Sequence, residues 1–148
     1  MPEVVRNPLQ LDVRIAASHF GRLVELLAFL RAGQEIQDKY RPVFASCSEM
    51  LNDAIWCHAK SLNSVSRSGT VEIRRWFRAD KIFGIARYKD DKSAGAAELE
   101  RLKYICDHID IDESQQKDTL EWAIDLASDI SEHARAVWHS EMQPHGQI

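Results

Sequence analysis

The stretch DESQQKDTLEWAIDLASDISEHARAVWHSEM, Asp112 to Met142, decides the fold. Within it Leu120, Ala123, Ile124, Ala127, Ile130, Ala134 and Val137 recur three or four residues apart, the spacing of one helix face. Trp122, Leu126 and Trp138 widen that face into a broad apolar arc, which suits a helix in the middle of a bundle. Asp112, followed three residues later by Gln115, has the pattern of an N-cap with a glutamine that reaches back to it. A helix is therefore expected over Glu113 to Met142.

Working outward, a second strong stripe runs through Phe44, Cys47, Leu51, Ala54, Ile55, His58, Leu62 and Val65. Pro42 lacks an amide donor, so it either kinks a helix begun near Gln34 or opens a new one. Pairing Pro42–Val65 antiparallel with the C-terminal helix would bury both stripes. Leu11, Ile15, Ala16, Phe20, Leu23, Leu27 and Leu30 mark a further helix that begins near Leu9 and stops at Gly33. Ser64–Gly69 (SVSRSG) reads as a linker, and Thr70 can cap a shorter helix holding Val71, Ile73, Trp76 and Phe77, with Asp80–Tyr88 either continuing it or turning. Ser93 can cap another helix, which carries Ala97, Leu102, Ile105, Cys106 and Ile109.

Strand-like alternation does not persist anywhere. The expectation is an all-α, single-domain antiparallel bundle of about five helices over residues 9–142. A short arm (1–8) and a tail (143–148) flank it.

Composition narrows the function classes. A chain of 148 residues with 45% hydrophobic and 28% charged residues is long enough for a real core and too apolar for wholesale disorder. The opening MPEVVRNPLQ lacks the apolar centre of a signal peptide, and the longest strictly apolar run, Leu26–Leu30, is far short of a membrane span. Cys47, Cys57 and Cys106 form no C-x-x-C pair and suit reduced thiols in a cytoplasm. No membrane partner is expected.

Charge is unevenly placed. Arg67–Lys92 holds 8 basic and 4 acidic residues, whereas Ser93–Ile148 holds 4 basic and 12 acidic. In the basic middle, Arg74, Arg75, Arg78, Lys81 and Arg87 interleave with Trp76, Phe77, Phe83 and Tyr88. Guanidinium forks pair with phosphates and aromatic faces stack on bases, so these residues are candidates for single-stranded nucleic acid. A net charge of −4 and pI near 5.8 argue against a general nucleic-acid binder, and the acidic third is an equally good intramolecular partner.

Two arginine–histidine pairs, Arg14 with His19 and Arg101 with His108, have four and six residues between them. This spacing is similar to the pair used by helical endoribonucleases of the HEPN group. That resemblance implies an arginine holding the scissile phosphate and a histidine moving a proton, without a metal. Arg101 and His108 lie nearly on one helix face and are the better-placed pair. Ile15 and Leu102, which follow the arginines, depart from the polar residue that the motif favours.

Metal chemistry is less well served. Asp110–Glu121 can be laid on a calcium loop, but Gln115 stands where glycine makes the turn and Lys117 where an apolar residue is usual. His133 and His139 are six apart, whereas helix-borne metal ligands sit three or four apart. Glycine-rich phosphate loops and G-x-S-x-G are missing too.

No metal and no cofactor is expected. The expected role is a non-enzymatic helical interaction or regulatory module that self-associates or joins a larger complex. The alternative is a nucleic-acid-binding helical protein, whose enzymatic form would be a HEPN-like ribonuclease acting through Arg101 and His108.

Overall fold

The computed structural model describes residues 8–63, 80–83 and 92–142. Four long helices run through them: α1 (Pro8–Arg31), α2 (Pro42–Asn63), α3 (Lys92–Asp107) and α4 (Lys117–Met142). Residues 80–83 form a short fifth helical segment, and no strand occurs among the described residues. The chain is all-α, as its periodicity predicts. The linker Ser64–Gly69 and the candidates Arg74, Arg75, Trp76, Arg78 and Arg87 lie outside the described residues, while Lys81 is on the short segment and exposed. None of the described helices is long and apolar enough to cross a membrane.

Glycine and proline punctuate the first half as their chemistry requires. Gly33 has φ +80°, the left-handed conformation that L side chains avoid. Its N–H donates to Leu30 O at 2.9 Å and that of Gln34 donates to Phe29 O at 2.9 Å, the paired bonds that close a helix C-terminus. After a single turn of 3-10 helix at Asp38–Tyr40, Pro42 opens α2 as its first residue.

The helix pairing differs from the expected one. α4 packs along α1, and α2 packs along α3; α2 and α4 are not principal partners. Both pairs are antiparallel: Ser131 meets Ala17 while Trp138 meets Arg14, and Ser48 meets Asp107 while Arg41 meets Asp110. The reason lies in small residues. Ala16, Ala17 and Gly21 on α1 face a helix whose buried positions include Ala123, Ala127, Ser131 and Ala134, so the two backbones approach closely. The Ser131 hydroxyl reaches across to donate to Ala17 O at 2.9 Å, and a Cβ at Gly21 would stand 3.4 Å from Ser131 Oγ.

The start of α4 also departs from the cap pattern. Asp112–Gln115 forms a 3-10 turn, Gln116 is extended, and the α-helix begins at Lys117. Gln115 spends its side-chain amide on Ile109 O at 2.9 Å, so it does not close a box with Asp112.

Between the helix pairs lies one core that includes Phe20, Leu23, Leu27, Leu51, Leu102, Leu120 and Ile130, all fully buried. The short segment joins it through Ile82 and Phe83, and the Phe83 ring meets Phe20 edge-on with centroids 5.8 Å apart.

Two substitutions check this account. Phe20→Ala removes a ring at the junction of α1 and the short segment and costs about 3–5 kcal/mol. Gly33→Ala forces a Cβ into the left-handed region with no clash and costs about 1 kcal/mol. Urea titration reads both as lowered midpoints with unchanged slope.

Candidate functional site

Arg101 and Tyr104 on α3, and His108 just past its last residue, are all exposed and lie along one side. The helix repeat accounts for this: 101, 104 and 108 fall at three- and four-residue steps, so they form one strip. The strip spans about 10 Å along the axis at the helical rise of 1.5 Å per residue. Its members are held by different neighbours. The Arg101 guanidinium sits over the Trp122 indole of α4, 4.1 Å from the ring centroid, a close cation–π contact.

His108 follows the last residue of α3, and its backbone N–H donates to Tyr104 O at 3.0 Å. The ring Nδ1 also lies 3.0 Å from that carbonyl, which can only accept, so Nδ1 carries a proton and donates it there. The imidazole stacks on the Tyr104 ring with centroids 4.2 Å apart and 27° between planes. The fold thus presents Arg, Tyr and His on one open face, with the tyrosine and histidine rings preorganised. Tyr104 was the signal available in the sequence, four residues before His108. Trp122 could be found only from the tertiary packing.

Among the described residues α3 touches α4 only sparsely on this side. Tyr104 is 48% exposed and Ile111, just beyond the strip, 38%.

The other pair separates. Arg14 points across to α4, where its guanidinium lies 5.6 Å from the Trp138 centroid. His19 belongs to the α2 side of α1, its backbone carbonyl accepting from the Cys47 thiol at 3.6 Å. The structure therefore does not bring Arg14 and His19 together. His133 turns back on its own helix, with Nδ1 donating to Asp129 O at 2.6 Å, and His139 lies beside Trp138. Asp110 is held by Arg41 at 2.9 Å, an ion pair that also takes in Asp38 at 3.3 Å and raises the arginine above its ordinary pKa, chiefly through the Asp110 hydrogen bond. Among the described residues no three His, Cys, Asp or Glu side chains gather in a way that could hold a metal ion.

A polar cluster that the sequence did not announce joins α2 to α3. The buried Ser48 hydroxyl donates to the Asp107 carboxylate, which also accepts from Lys103 at 2.7 Å. Burial pushes the Asp107 carboxyl up. The hydrogen bonds from Lys103 and Ser48, with the charges of Lys103 and His108, outweigh that and hold it below its ordinary value. Such a carboxylate is a weak base, and the serine proton is already committed to it, so the trio ties two helices and does not arm a nucleophile. Beside it, burial raises the thiols of Cys47 and Cys106, the latter to about 12, so both are neutral and unreactive at neutral pH.

Comparison with family models, with curated proteins and with solved structures finds no match to this chain. What the site does must therefore be argued from its own residues.

The tie between Ser48 and Asp107 makes stability depend on pH. The Asp107 carboxyl is lowered by folding, so its contribution is present above the unfolded value of about 4 and is lost as pH falls through the folded value. Ser48→Ala should cost about 1–2 kcal/mol at pH 7, as expected for a hydrogen bond to a charged group. Urea titrations at pH 7 and pH 3 should show the gap between wild type and variant shrinking in acid.

Proposed function

We propose that this chain is a non-enzymatic helical interaction module that self-associates through the outer strip of α3. The observation that carries this reading is the open Tyr104–His108 stack on the sparsely packed α3–α4 side, bordered by Ile111 and by Arg101 on Trp122. Tyrosine, tryptophan and arginine are the residues in which interface centres are enriched, and rings already stacked lose little freedom on binding. A two-fold arrangement would use the same strip on both copies. The buried thiols fit a reducing, cytoplasmic setting.

A second reading is favoured by one specific observation, that Arg101 and His108 share an exposed face. In it, Arg101 would hold an RNA phosphate and His108 Nε2 would take the proton. The basic stretch with Arg74, Arg75, Trp76, Arg78, Lys81 and Arg87 would extend the contact.

Light scattering after size exclusion, with and without a fluorescent single-stranded RNA, separates the two. The interaction reading expects a discrete oligomer that ignores RNA. Tyr104→Glu with Ile111→Glu should weaken self-association at least tenfold while leaving the circular dichroism spectrum unchanged. Binding of RNA that falls steeply with salt and is lost in Arg101→Ala would favour the second reading instead. RNA cleavage that survives His108→Ala would remove that histidine from it.

A further inference from the structure

At the end of the bundle away from the α3 strip, α1 and α4 border a cleft of about 390 Å³ lined by Arg14, Ala17, Ser18, Arg135, Trp138 and His139. Its register follows from the antiparallel pairing. Arg14 and Ser18 are one turn apart on α1, while Arg135, Trp138 and His139 fall three and four residues apart on α4. The side chains are already partly ordered on the indole: the Arg14 guanidinium lies 5.6 Å from its centroid and the His139 ring 5.4 Å, tilted by 39°.

The charge of this cleft runs against that of its surroundings. The chain carries −4 overall, and α4 holds only Lys117 and Arg135 as lysine or arginine against six acidic residues. Yet Arg135 lines the same cleft as Arg14, and among the described residues no acidic side chain lines it with them. Two cations that line one cleft repel, and an anion placed between them removes that penalty.

Arginine presents a planar fork that matches phosphate oxygens, and Ser18 and His139 add further donors. Between these polar rims the wall is largely apolar, formed by the indole of Trp138 and by Ala17. The cleft thus suits an anion with a flat, partly apolar body, and its volume lies toward the small end of ligand sites.

We propose that this cleft binds a nucleoside phosphate. The phosphate sits between Arg14 and Arg135, and the base and sugar lie against Trp138. Both a free nucleotide and the end of a single strand carry this chemistry. The proposal does not depend on the α3 strip, which lies at the other end of the molecule.

Calorimetric titration of the full chain tests it, using AMP and UMP, adenosine, inorganic phosphate, and a single-stranded RNA hexamer with and without a 5′-phosphate. A nucleoside monophosphate should bind at least tenfold more tightly than either adenosine or inorganic phosphate. Arg14→Ala with Arg135→Ala should reduce that binding at least tenfold with an unchanged thermal melt. Should the double variant fold poorly, Arg135→Gln alone should still show a clear loss, because Arg135 is exposed.

Equal affinity for AMP and the hexamer assigns the site to free nucleotide. Tighter, salt-dependent binding of the phosphorylated hexamer assigns it to a strand end; both uphold the proposal. Three results would overturn it: no binding of any phosphate at millimolar concentration, binding that the variants leave intact, or inorganic phosphate binding as tightly as AMP.

Discussion

The bundle depends on how closely α1 and α4 approach. The Ser131 hydroxyl can reach the Ala17 carbonyl at 2.9 Å only because alanines and a glycine keep the seam narrow. That approach aligns Leu23 and Leu27 of α1 with the apolar arc of α4 and sets the register in which every other contact is read. It also leaves α2 to find α3. The polar tie of Ser48 to Asp107 answers a need that a purely apolar stripe would not create, since a buried hydroxyl must have a partner.

Helix positions could be read from the sequence because apolar spacing is a local property. The periodicity of α4 picks out Leu120, Ala123, Ala127, Ile130 and Ala134, which are buried, with Ile124 and Val137 partly so, and Gly33 and Pro42 mark boundaries through constraints that act within one or two residues. Pairing is not local. The stripes of α2 and α4 are each strong, but strength does not say which stripe meets which. The deciding feature was the run of small side chains on α1 and α4, whose value appears only when two backbones meet. The cap pattern at Asp112 failed for a related reason: the amide of Gln115 found the Ile109 carbonyl, an acceptor that the capping pattern does not consider.

The candidate site divides in the same way. The Arg101 and His108 spacing was legible as one helix face, and the structure keeps both residues there. What the spacing could not convey is that each already has an aromatic neighbour, Trp122 for the arginine and Tyr104 for the histidine. These contacts restrict the motion of both side chains, so the face is organised before any partner arrives. The Arg14 and His19 pair shows the converse. Five positions apart on a helix, the two residues turn toward different neighbours, and the spacing alone carried no shared site.

The α1–α4 seam also governs when the molecule can fold. Ser131 and Ala17 are 114 residues apart in the chain, so the contact that organises the bundle closes a long loop. During synthesis α1 emerges before its principal partner, α4, which follows α2 and α3 in the chain. The α2–α3 pair can assemble earlier, pinned by its buried serine, and wait as a half-built layer. Assembly is thereby an event that couples α1 to a helix far along the chain, and shortening α4 would deprive α1 of its shelter.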